Sequence, residues 1–81
     1  MREATMRFLV LIEPTATGFS AHVPDLPGCV AAGETRAETV ELIREAIDFH
    51  LEGMRLHGEP IPKPTALGDF IEVEVGTAQT V

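Results

Sequence analysis

From Met6 the chain alternates in register: Met6, Phe8, Val10 and Ile12 share one face of an extended segment, while Leu9 and Leu11 make the other face apolar too. This period of two predicts a strand over Met6–Glu13. Two apolar faces predict that the strand is central in a sheet, or covered by a partner. Pro14 ends it, and the loop PTATG closes on Gly18. Phe19–Val23 alternates again, with Phe19, Ala21 and Val23 opposite Ser20 and His22, as the return strand of a hairpin does. Cys29–Ala32 is short, small and apolar, and fits a third antiparallel strand. Phe70–Val75 repeats the pattern, with Ile71, Val73 and Val75 inward and Glu72 and Glu74 outward.

Between these strands the period changes to that of a helix. Thr35 and Glu38 have the spacing of a capping box, and Gly58 stands where a left-handed stop is expected. Only Gly53 interrupts Arg36–His57, at a cost near 1 kcal/mol. Val40, Ile43, Ile47, Leu51 and Met54 form the stripe that covers the sheet. Glu38, Glu41, Glu45, Asp48 and Glu52 form an acidic stripe, and Leu42, Phe49 and Leu56 recur every seven residues on neither. Together the apolar lines and Ala46 span roughly 220°, against the ~100° of a one-sided surface helix. One sheet cannot cover that arc, so Leu42, Phe49 and Leu56 are the candidate oligomer or partner interface.

The connector Gly58–Asp69 carries three alternate prolines that favour polyproline II. At ~3.1 Å per residue it reaches about as far as the helix is long, so it would return the last strand to the same sheet. The predicted order is β-β-β-α-β, one α+β domain over residues 1–81.

Composition narrows the partners. Thirteen acids against six bases give a net charge of -7 over 81 residues, the wrong sign for binding a phosphate backbone. The balance suits solubility, or a basic protein partner. A single cysteine forms no internal disulfide, and the short apolar run Phe8–Ile12 is neither signal peptide nor membrane span. A soluble cytoplasmic protein is the expectation.

Catalytic chemistry finds few candidates. Cys29 and His22 are close in sequence, but no cation or helix N-terminus is implied to activate the thiol, and a small core residue is the plainer reading. His50 and His57 lie about 10.5 Å apart along a helix axis, too far for one metal with ligands at ~2 Å. The carboxylates sit mostly on one exposed helix stripe, or outward on the last strand. No catalytic residue, cofactor or metal site is assigned.

The stretch HVPDLPGCV is different: Pro24 and Pro27 fix the backbone, Asp25 can bond the chain beyond it, and Gly28 permits a positive φ. A stiff β-β connection is the plain reading. A preorganised contact loop, with Leu26 held at its tip between Asp25 and Pro27, is the sharper one.

Pro24-Asp25-Leu26-Pro27-Gly28-Cys29, then Gly33, Thr35 and Glu38, then Gly58, Ile61, Pro62 and Pro64, together resemble the HicB-like antitoxin family. The resemblance runs from about Phe8 to Val75. It implies a partial ribonuclease-H-like β-β-β-α-β fold lacking that enzyme's catalytic carboxylates. It also implies neutralisation of a small basic HicA-type toxin that cleaves mRNA. Many members add a C-terminal DNA-reading segment, whereas only GTAQTV follows Val75 here, so operator binding by this chain is not expected. Thr39 stands where the family more often has alanine.

The expected function is therefore a non-enzymatic antitoxin core that assembles as a dimer or larger homo-oligomer. A metal-dependent nuclease on the same scaffold is the alternative, as is an orphan oligomeric ligand-binding domain. Besides the helix stripe, open strand edges are a competing site of assembly.

Overall fold

Thr15 makes the first reversal possible. Its N–H donates to the Gly18 carbonyl at 2.8 Å, and its hydroxyl oxygen accepts from the Gly18 N–H at 3.0 Å. In the computed structural model, which describes residues 5–76, this turn joins β1 (Leu11–Pro14) to β2 (Phe19–His22). β3 (Val30–Gly33) pairs on the other side of β2, giving an antiparallel sheet of order β1-β2-β3. Ile12, Ala21 and Ala31 stand opposite one another across it, so the inward face is set by small and branched apolar side chains. Residues 1–4 and 77–81, the latter most of the GTAQTV tail that bears on operator binding, lie outside the described residues.

The helix α1 (Arg36–Leu56) begins and ends on local signals. Thr35 Oγ1 accepts from the Glu38 N–H at 3.0 Å, and the Glu38 carboxylate accepts from the Glu34 N–H at 2.7 Å. The return half of the box thus reaches one residue further back than the cap itself. At the other end Gly58 takes φ +69°. Its N–H donates to Arg55 and that of Glu59 to Met54, at 3.2 and 2.9 Å, the paired bonds of a Schellman stop.

Thr39 explains its own presence. It is completely buried, and its hydroxyl donates to the Thr35 carbonyl at 2.7 Å, so the polar group is satisfied inside the helix. Gly33 lies against it: a Cβ there would stand 2.7 Å from Thr39 Oγ1. Close approach of β3 to the helix start needs that glycine.

Two expectations are corrected. The first strand is shorter than Met6–Glu13. β2 gives out at His22, because Pro24 diverts the chain, so Met6–Val10 has no ladder partner there and lies outside the sheet. The second concerns Phe70–Val75, which forms no strand. It has no backbone hydrogen bond among the described residues, and the connector does not deliver it into the sheet. With no fourth strand among the described residues, β1 lies at an edge instead of the centre.

The core sits between the sheet and one side of the helix. Ala21, Val23, Leu26, Cys29 and Ile43 are buried, with Phe8, Val10, Ile12, Ala46, Ile47 and Leu51 packed around them. The helix lies chiefly over β3 and β2. Along β1 a groove of about 310 Å³ stays open between Phe8, Val10 and Ile12 on one wall and Val40 and Ile47 on the other.

Candidate functional site

The proline corner is two turns in succession. Leu26 N–H donates to the Val23 carbonyl and Cys29 N–H to the Leu26 carbonyl, both at 3.0 Å; Val23 N–H closes the loop on Cys29 at 3.2 Å. Pro27 followed by Gly28 at φ +86° suits the second turn, which needs a positive φ at its third position. With both turns bulging outward, Leu26 points inward. It is 1% exposed, one of the best-buried side chains, which corrects its expected place at the tip of a displayed loop. Pro27 is exposed.

Asp25 faces the return arm. Its Oδ2 accepts from the Thr65 and Ala66 N–H groups, each at 2.9 Å, and its Oδ1 accepts from the Thr65 hydroxyl at 3.0 Å. The Ala66 amide first, then Thr65, holds the Asp25 carboxyl below its ordinary range. A residue singled out for contact with a partner is therefore engaged within the chain. Forty residues of separation hid that pairing from the sequence; an Asp between two prolines was the only available hint.

The outer side of the helix carries the apolar line. Phe49 and Leu56 are 82% and 71% exposed, while Leu42 is half-buried. At ~100° per residue, this line borders Glu38, Glu45 and Glu52 and lies beside Glu41 and Asp48. Two cations temper the acids: Arg44 lies 3.9 Å from Glu41, and Arg55 donates to Glu52 at 2.6 Å. Such exposed pairs add little stability. The carboxylates fan out along the helix, and among the described residues no three or more His, Cys, Asp or Glu side chains converge as metal ligands would.

The remaining candidates are separated. Cys29 is buried in the core, and burial pushes its thiol up, towards the protonated and unreactive form. His22 is exposed on β2, so the imagined Cys–His pair does not assemble. His57 is the C-cap and its Nδ1 lies 2.8 Å from the Gly53 carbonyl. His50 is half-buried on the helix. No helix among the described residues is long and apolar enough to cross a membrane.

Sheet, helix and acid-bordered apolar line define a small α+β protein. The chain belongs to the HicB-like antitoxin family: residues 8–76 match the family described as HicB_like antitoxin of bacterial toxin-antitoxin systems. An uncharacterized protein of the rep-hol intergenic region of Haemophilus phage HP1 is 39% identical, over 82% of this chain and 50% of that protein. Antitoxin HicB of Escherichia coli K12 is 34% identical over 94% of this chain and 58% of its own length. The chain thus spans about half the length of these curated relatives. It spans 99% of a UPF0150 protein of Archaeoglobus fulgidus, at 33% identity. Among solved structures, a chain of a HicA3 and HicB3 toxin-antitoxin complex superposes with a TM-score of 0.64 at 34% identity, covering 73% of this chain and 69% of that one.

Proposed function

We propose that this chain is the core of a HicB-type antitoxin, a non-enzymatic module that neutralises a small basic HicA-type mRNA-cleaving toxin by binding it. Support comes from family membership and from likeness to a chain of a HicA3–HicB3 complex. The observation that carries the reading is the Leu42–Phe49–Leu56 line among helix acids, on a chain of net charge -7. Acidic flanks steer a basic partner and set its register, while the apolar line supplies affinity. Burying Phe49 and Leu56 is worth about 1.5–3 kcal/mol each.

The scaffold is read as a partial ribonuclease-H-like fold, supported by the β1-β2-β3 order followed by the helix. The antitoxin would work in the cytoplasm, where mRNA is. Co-expression tests the proposal: a HicA-type toxin should arrest growth alone, and this chain should relieve the arrest and co-purify with the toxin. Growth arrest that persists, with no complex recovered, would overturn it.

A further inference from the structure

After the Asp25 clasp the chain passes beside Arg7–Ile12, and Phe70–Val75 carries its apolar side chains bare. Phe70 is fully exposed, and Ile71, Val73 and Val75 are each more than two-thirds exposed. Their backbone groups have no hydrogen-bond partner among the described residues. The longest dimension of the molecule is 56 Å, against about 32 Å for a helix of this length. An apolar, unpaired strand with alternating acids is an incomplete structure.

The complement stands on the same chain. β1 is an edge with one free side, and Met6–Val10 continues it without a ladder partner. Beside it lies the apolar groove between Phe8, Val10, Ile12, Val40 and Ile47. The stem of the arm does not fill it. Gly68 passes the Leu9 side chain, where a Cβ would meet Leu9 Cδ1 at 3.5 Å; Leu9 alternates with Phe8 and Val10, which pack on the core.

Charge selects the occupant. Arg7, Arg36 and Arg44 border the cavities along this edge, with Asp48 beside Arg44 and Asp69 of the stem beside Arg36, whereas Glu72 and Glu74 punctuate the arm. An apolar strand flanked by Glu72 and Glu74 fits an apolar edge that offers three arginines, and this chain carries both halves.

We propose that Phe70–Val75 of one copy adds as a strand along the β1 edge of a second copy, and reciprocally, closing a two-fold strand-exchanged dimer. Ile71, Val73 and Val75 then fill the partner's groove, with Glu72 and Glu74 outward. Backbone pairing removes the open edge, and the isologous exchange closes the assembly at two copies. The helix line remains free. Phe49 and Ile47 are two residues apart, about 200° around the helix, so exchange and a second partner use opposite flanks.

Purified full chain alone tests this, independently of any toxin. Sedimentation velocity should give twice the chain mass across a wide concentration range. Val73→Asp and Ile71→Asp should each give the single-chain mass, with an unchanged helical circular-dichroism signal. In a mixture of isotope-labelled and unlabelled copies, filtered NMR should show intermolecular contacts from the Val73 and Val75 methyls to Phe8 or Val10. A monomeric wild type, a dimer that survives both arm substitutions, or arm contacts found only within one chain would each overturn the proposal.

Discussion

Asp25 and Thr65 are joined by two hydrogen bonds, from the Thr65 N–H at 2.9 Å and its hydroxyl at 3.0 Å, across forty residues of sequence. The clasp ties the proline corner to the return arm and fixes where the arm leaves the body. Asp25→Ala should therefore loosen the arm without melting the sheet–helix unit. Hydrogen exchange should rise at Thr65 and Ala66 while the helix amides of Val40–Leu51 stay protected; equal loss at both places would contradict this.

The same clasp is pH-dependent in a defined direction. Its backbone bonds to Ala66 and Thr65 lower the Asp25 pKa from an ordinary value of 3.8. A depressed folded value means the stabilisation is complete above that ordinary value and fades as pH falls through the lower folded one. Amide shifts of Thr65 and Ala66 should follow a titration below 3.8. Asp25→Asn should abolish it.

Gly33 and Thr39 form a tight pair. Gly33→Ala places a Cβ 2.7 Å from Thr39 Oγ1 and 3.1 Å from the Thr39 backbone N, an overpacking expected to cost roughly 1–3 kcal/mol. Thr39→Ala should recover part of that loss in a double-mutant cycle, because the hydroxyl is the closer obstacle. The backbone contact stays, so recovery should be incomplete. Additive denaturation energies would show that the two residues do not interact.

Phe49→Glu should leave stability within about 0.5 kcal/mol of wild type, since the ring is 82% exposed. It should also leave the strand-exchanged dimer intact while abolishing capture of a HicA-type toxin. Loss of the dimer in this variant would move the self-association contact onto the helix.

Purified protein should not cleave RNA in Mg²⁺ or Mn²⁺. The helix carboxylates diverge along an exposed face, whereas two-metal phosphoryl transfer needs several converging on ions ~4 Å apart. Activity that survives purification and vanishes with one Asp or Glu substitution would restore the nuclease reading.

Local chemistry made much of the fold legible. Thr35, Glu38 and Gly58 mark the helix ends because caps and left-handed stops are satisfied by neighbours within a few residues. The Phe19–His22 hairpin and the Ile12–Ala21–Ala31 inward row follow from a period of two. The acidic stripe and the Leu42–Phe49–Leu56 line follow from helical geometry, and the structure exposes Phe49 and Leu56. Each depends on residues near one another in the chain.

What the tertiary structure alone decided depends on distant residues. Leu26 turns inward because two consecutive turns close on the sheet end, and Asp25 faces Thr65 because the arm happens to pass there. The alternation in Met6–Val10 and Phe70–Val75 gave strand expectations that one copy of the chain does not fulfil. A strand, however, is completed by a second backbone, and a period of two names no partner. β1 stops where β2 diverts at Pro24, and the last segment stays unpaired within one copy. Sequence pattern determined which segments can extend and which faces are apolar; only packing in space decided which edges are filled.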